Sequence, residues 1–281
     1  MSDPSLSLFG DAEPPPRRGE PSPSPPAGPA GAVPLAERMR PRTLDEIVGQ
    51  DHLVGPEGTL RKLLAAGHLP NLILHGPPGS GKTTLARVVA AQSGAAFVPF
   101  NAVSEGVPRL REVVKEAETR SKAGRGTLLF VDEIHRLNKG QQDFLLPWIE
   151  SGLMTLVGAT TEHPAFEINP AVLSRSRVLV LKPLGEDDVR TVVRRALEDR
   201  ERGLGGSVAL EREAEDVLVR NTGGDARQAI TGLEIAARLA GTGAITPDEV
   251  REALQRPTAR YDTSLMYEML SAFHKSLRAS A

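Results

Sequence analysis

From Leu35 onward, short apolar runs alternate with longer stretches in which apolar residues recur at helical spacing. The pattern predicts strands at 71–75, 97–100, 127–131, 154–159 and 178–181, with helices at 82–93, 108–121 and 140–150 between them. Strands alternating with helices imply an α/β unit whose parallel sheet is flanked by helices on both faces. After Pro183 the strand pattern stops, and helices are predicted at 186–202, 211–222, 225–240 and 247–254. The last opens on Thr246-Pro247-Asp248-Glu249, a capping box with proline at the first helical position, and Gly223-Gly224 forms a tight joint between the second and third. The expected organisation is an α/β domain over 35–182, a small α-helical domain over 183–257, and the start of a further helical region over 258–281. Residues 1–34 carry Pro14-Pro15-Pro16 and Pro21-Ser22-Pro23-Ser24-Pro25-Pro26 and are expected to be disordered or polyproline-like.

Composition narrows the function. The 281 residues contain no cysteine, which excludes disulfides, thiolate catalysis and Cys-ligated zinc. No apolar run reaches the ~18 residues that span a bilayer and no signal peptide opens the chain, so a cytoplasmic protein without a membrane partner is expected. The net charge of −2 means that any nucleic-acid contact has to come from local basic patches.

The chemistry begins at the end of the first strand. Gly76-Pro77-Pro78-Gly79-Ser80-Gly81-Lys82-Thr83-Thr84 fits the phosphate-cradling pattern GxxxxGK[ST] without a mismatch. Glycines at 76, 79 and 81 let backbone amides turn toward the phosphates of a nucleoside triphosphate, Lys82 supplies a point charge to them, and the Thr83 hydroxyl is suited to ligate Mg²⁺. Fifty residues after Lys82, the apolar strand Thr127–Val131 ends in Asp132-Glu133. Acids at that end of a buried strand emerge where open α/β sheets bind ligands; Asp132 suits Mg²⁺, and Glu133 suits orientation and deprotonation of a water. Thr160, after the strand 154–159, offers a hydroxyl for the lytic water or the γ-phosphate, or for turn capping alone. Arg175, just before the strand 178–181, suits an arginine finger or a surface salt bridge, with Arg177 as its alternative. Arg227, at the start of a helix in the second domain, can reach back to the γ-phosphate and couple that domain to nucleotide state. His135 reads as a core or surface histidine beside the site, and Arg190, Arg194, Arg195, Arg200 and Arg202, interspersed with acids, read as a solvated helix face.

Taken in order, these residues resemble the AAA+ ATPases of the clamp-loader and RuvB-like branch. The resemblance implies an AAA+ phosphate-loop NTPase fold with a helical lid, ATP and Mg²⁺ as cofactors, Thr160 as sensor 1, Arg175 as arginine finger and Arg227 as sensor 2. The stretch Leu35–Gln50 is similar to the segment that wraps the adenine in those proteins, which would put Ile47 and Val48 against the base. More narrowly, Asp132-Glu133-Ile134-His135-Arg136-Leu137-Asn138-Lys139 and Gly158–Asn169 look like the replication-associated recombination protein A family.

That family resemblance implies a DNA-dependent ATPase acting at forks, gaps, duplex ends or single strands, nucleoid-associated, with single-strand-binding protein among its partners. It also implies a homo-oligomer formed through a further helical domain, so a chain ending at Ala281 reads as a truncated form. Ser5-Leu6-Ser7-Leu8-Phe9 resembles the pentapeptide by which bacterial replication proteins dock on the sliding clamp, with Ser5 in place of the usual glutamine. Two other readings compete. Asp132-Glu133-Ile134-His135 matches DExH helicases, although no later Gln- and Arg-rich motif accompanies it, and an ATP-switched adaptor or clamp-loader-like protein would need the same nucleotide site.

Overall fold

The computed structural model describes residues 33–67 and 69–254. The Ser5–Phe9 pentapeptide, nearly all of the Pro-rich stretch, and the region 258–281 lie outside the described residues. The chain divides at Pro34 into two units, and every element below belongs to the second.

That unit opens with the short helix α1 (Leu35–Arg38), a 3-10 turn over Leu44–Glu46, α2 (Asp51–Val54) and α3 (Thr59–Ala65). Next come β1 (Asn71–His75), α4 (Lys82–Ser93), β2 (Ala96–Asn101), α5 (Val107–Lys122) and β3 (Thr127–Asp132). A 3-10 turn over Ile134–Arg136 leads to α6 (Lys139–Glu150), β4 (Thr155–Thr160), α7 (Pro164–Glu167), α8 (Pro170–Leu173) and β5 (Ser176–Val180). Four helices follow: α9 (Glu186–Glu198), α10 (Arg212–Asn221), α11 (Ala226–Ala240) and α12 (Pro247–Leu254).

The five strands form one sheet in the order β2-β3-β4-β1-β5, and every neighbouring pair is parallel. Alternation along the strands sorts their side chains to two cores, as a period of two requires. Leu72, Leu74, Leu128, Phe130, Val157 and Ala159 meet Leu85, Val88 and Val89 of α4 on one face. Ile73, Leu129, Val131 and Leu156 meet Leu110 and Val113 of α5 and Leu145 and Ile149 of α6 on the other. Each of these leucines and valines is at most 1% exposed, a gain of about 2 kcal/mol per side chain over exposure, and Ile149 is 6% exposed. The lid has its own core, built from Val189, Val193, Ala214, Leu218, Leu233 and Val250.

Most boundaries shift by a residue or so from the sequence expectation, β4 among them at Thr155–Thr160 rather than 154–159, and three differences bear on the packing. Strand β5 covers Ser176–Val180 rather than 178–181, because its register runs Asn71↔Ser176 to His75↔Val180 against β1. Helix α9 stops at Glu198, short of 202: the Asp199 carboxylate accepts from the Glu201 amide at 2.9 Å and the Arg202 amide at 2.8 Å, a local turn that competes with helix continuation. Leu35 packs inside the lid core, and its amide donates to Glu234 Oε2 of α11 at 3.0 Å. The start of the span 35–182 is therefore fastened to the second domain, since a four-residue amphipathic turn has no other apolar surface to cover it.

Candidate active site

Because the sheet is parallel, the C-terminal ends of β1, β3 and β4 gather at one edge, with His75 level with Thr160. The loop after β1 is tied to β4 by the Gly76 amide, which donates to Thr160 O at 3.2 Å. Gly79 and Gly81 adopt positive φ of 70° and 96°, conformations that a side chain would strain. Gly81 caps α4 without a side chain and no acid sits in the first turn, so the positive end of a twelve-residue helix faces the cleft. Lys82 is 9% exposed, and its Nζ donates to the loop's own carbonyls, Gly76 O at 2.8 Å and Pro77 O at 2.9 Å. Ser80 Oγ donates to Pro77 O at 2.9 Å and closes the turn.

Across the cleft, Asp132 ends β3 and Glu133 leaves it with φ 50° and ψ 50°. Among the described residues Glu133 is the one non-glycine with positive φ. Its neighbour Ile134 packs on the sheet against Gly158, where a Cβ would lie 2.6 Å from Ile134 Cδ1 and 3.0 Å from Ile73 Cδ1. Only glycine at 158 lets the turn approach so closely, and this approach holds Glu133 at the cleft. Downstream the turn is fixed by the reciprocal caps of Asn138 and Gln141, both at 2.9 Å.

Burial pulls the Lys82 ammonium below the ordinary lysine range, against the opposing pull of Glu133, Asp132 and Asp225. Three carboxylates therefore act on this one lysine, in a cleft that Arg40 and Arg227 also line. Thr83 and Asp132 both line the cleft and offer hard oxygen donors, the set Mg²⁺ takes. Among the described residues no three acidic or histidine side chains form a metal cage, so a cation here would complete its shell from phosphate and water.

Between the phosphate loop and the lid lies a cleft of about 950 Å³, lined by Pro78–Thr84, Asp132, Glu133, Ile47, Val48, Arg40 and Arg227. Its volume suits a nucleotide. Ile47 also packs against the sheet core, so the apolar wall is held by the domain itself. Arg227 has no hydrogen-bond or ion-pair partner among the described residues, and its charge is felt at Glu37, whose carboxyl is held below the usual range chiefly by the Arg40 hydrogen bond. Arg40 NH1 also reaches Thr84 Oγ1 at 3.2 Å.

Thr160 is fully buried and does not line the cleft. Its Oγ1 accepts from the Glu162 amide at 3.0 Å and lies 3.3 Å from Glu162 O and 2.9 Å from His135 Nδ1. That same Nδ1 is 3.4 Å from Glu133 Oε2.

Arg175 is elsewhere. It precedes β5 at the level of Asn71, whose Nδ2 donates to Arg175 O at 3.2 Å, so it lies at the opposite end of the sheet from the phosphate loop. Its guanidinium pairs with Glu150 and donates to Ala171 O at 2.9 Å. A five-residue strand separates the two ends by roughly 16 Å, beyond the reach of an arginine toward its own cleft. Arg177 sits exposed on the edge strand β5.

The arginines of and just after α9 are a solvated face only in part: Arg194, Arg195 and Arg200 are exposed, yet all but Arg200 also make cross-element contacts. Arg190 and Arg194 hold Glu215 of α10 at 2.8 and 2.7 Å; Arg195 donates to Glu46 O at 2.9 Å, and Arg202, past the helix end, holds the Glu46 carboxylate at 2.9 Å. The latter two bind the lid to the segment that carries Ile47. Sequence reasoning missed these struts, whose only sequence signal is the spacing of arginines along one helix, and the charge of Asp225 acting on Lys82, marked only by its helix-capping position.

Residues 72–184 match the ATPase family associated with various cellular activities (AAA), and residues 204–278 match the AAA C-terminal domain. Replication-associated recombination protein A of Escherichia coli K12 is 44% identical over 256 residues, covering 88% of this chain and 57% of that protein. The Bacillus subtilis protein of the same name is 40% identical, over 88% and 60% of the two lengths. ATPase WRNIP1 of Dictyostelium discoideum is 38% identical over 88% and 31%. The chain therefore spans little more than half the length of its bacterial relatives. Among solved structures, the Thermotoga maritima RuvB Holliday junction branch migration motor is similar with a TM-score of 0.63 and 26% identity, over 77% of this chain and 72% of that one. Sequence relatives, matched domains and fold agree: the chain belongs to the replication-associated recombination protein A family of AAA+ ATPases.

Proposed function

We propose that this chain hydrolyses ATP and couples turnover to DNA in replication-associated recombination, at forks, gaps or duplex ends. The observation that carries the hydrolytic part is the opposition of the phosphate loop and Glu133 across one cleft, and the DNA part is supported by the likeness to replication-associated recombination protein A. Lys82 exchanges its bonds to Gly76 O and Pro77 O for the β- and γ-phosphates, and Ile47 and Val48 pack on the base. Thr83 and Asp132 would hold Mg²⁺, which when bound offsets phosphate charge. Glu133 takes a proton from water as the water oxygen bonds to the γ-phosphorus and the bond to the bridging oxygen breaks, giving ADP and phosphate. Arg227 reads the γ-phosphate from the lid, Thr160 acts as the sensor at the end of β4, and Arg175 serves a neighbouring copy in a homo-oligomer. The Ser5–Phe9 pentapeptide is the proposed tether to a sliding clamp, on the sequence pattern alone. ATPase rates with and without forked or gapped DNA test the reading: strong stimulation supports it, and slow turnover indifferent to DNA supports an ATP-switched adaptor.

A further inference from the structure

We propose that His135 is a positioning residue that links the buried Thr160 hydroxyl to the Glu133 carboxylate, so that the two work as one device. The inference rests on Glu133 being the base of ATP hydrolysis. Thr160 is fully buried and lines no part of the cleft, so in this conformation its hydroxyl cannot touch a water there. Among the described residues the only polar side chain its Oγ1 meets is His135, at 2.9 Å, and the same Nδ1 stands 3.4 Å from Glu133 Oε2. Glu133 is more open, with its side chain 38% exposed against 10% for His135.

One ring nitrogen therefore faces two oxygens, and hydrogen-bond bookkeeping allows two arrangements. The Thr160 oxygen already accepts from the Glu162 amide at 3.0 Å, which leaves its single proton two acceptors: Glu162 O at 3.3 Å, or Nδ1 at 2.9 Å. If the proton goes to Nδ1, that nitrogen presents no donor to Glu133 and the carboxylate loses its hold. If it goes to Glu162 O, Nδ1 carries the hydrogen and shares it with Thr160 Oγ1 and Glu133 Oε2, and the carboxylate is held. Rotation of one buried hydroxyl, matched by the imidazole tautomer, thus decides whether the base is held in position or left unoriented. Backbone geometry adds to the need for such a hold: Glu133 sits in a left-handed conformation with no side-chain cap, so its own turn does not orient the carboxylate.

The test uses the full chain with His135→Phe, which keeps the ring without its nitrogens, His135→Asn, which keeps an N–H near the Nδ1 position, and Thr160→Val, which keeps the shape without the hydroxyl. Expected for His135→Phe is a fall in kcat of roughly 10- to 100-fold, the scale of a misplaced reacting group, with affinity for a fluorescent ATP analogue and the melting temperature little changed. His135→Asn should recover most of the rate, Thr160→Val should resemble His135→Phe, and the double variant should be no slower than the worse single. A normal kcat in His135→Phe, additive losses in the double variant, or a loss of analogue binding parallel to the loss of rate would each overturn the inference. Glu133→Gln separates this from the underlying reading: if that variant hydrolyses ATP normally the hydrolytic assignment fails, whereas an inactive Glu133→Gln beside a normal His135→Phe sinks only the coupling.

Discussion

The carboxylate of Asp225, which caps α11 of the lid by accepting from the Gln228 amide at 2.9 Å, lies against Gly79 of the phosphate loop: a Cβ added at Gly79 would fall 2.2 Å from Asp225 Oδ1. The lid thus touches the loop through a negative charge, beside the place a triphosphate would occupy. Asp225→Asn keeps the cap and removes the charge, and should tighten ATP binding by roughly 5-fold, about 1 kcal/mol for one like charge at this range. Gly79→Ala should do the opposite, because φ of 70° and the clash both oppose it. Titration of both variants with a fluorescent ATP analogue checks the pair, and equal affinity in Asp225→Asn and wild type would refute the charge argument.

Lys82 and Glu133 should separate binding from chemistry. Lys82→Ala should lose nucleotide affinity. Glu133→Gln should bind ATP and hydrolyse it at least ~100-fold more slowly, since only the water-activating group is gone. Equilibrium binding alongside single-turnover hydrolysis distinguishes the two.

The separation of Arg175 from its own cleft makes a complementation experiment informative. An arginine given to a neighbour contributes on the order of 10³-fold in turnover. Mixing Arg175→Ala with Lys82→Ala subunits should restore partial activity, because one kind of interface keeps both halves. Absence of rescue in a preparation shown to be oligomeric would leave Arg175 as the partner of Glu150 alone.

Glu215 gives a pH dependence. It is 5% exposed; burial pushes its carboxyl up, but the hydrogen bonds from Arg194 and then Arg190 outweigh that and hold it below the ordinary carboxylate value of 4.5. A depressed folded value means that the stabilisation is fully present above the ordinary value and fades as pH falls through the depressed one. Glu215→Gln should cost about 2 kcal/mol near neutrality, the scale of hydrogen bonds to a charged group, and less in acid. Thermal melts of both proteins at pH 7 and pH 3.5 check whether the gap narrows.

The sheet, the phosphate loop and the β3 acids were legible in the sequence because each is set by neighbours along the chain: a glycine spacing, an apolar run, a carboxylate at a strand end. Arg195 and Glu46 are 149 residues apart, and nothing local marks them as partners. The same holds for Thr160 with His135 and for Gly79 with Asp225, contacts that exist only once the lid has packed and the Ile134 turn has settled on Gly158. Helix α9 ended early for a related reason, since a side-chain turn at Asp199 outcompeted a helical pattern that continues in charge but not in burial.

The left-handed seat of Glu133 has a consequence for the molecule as a material. A non-glycine residue held there costs the fold about 1 kcal/mol or more, and asparagine or glycine would sit with less strain. Glu133→Asn and Glu133→Gly should therefore melt above wild type while hydrolysing no ATP, which calorimetry can check. Selecting variants of this chain for heat resistance alone would then favour dead enzymes at this position: the most durable form of the protein is not the working one.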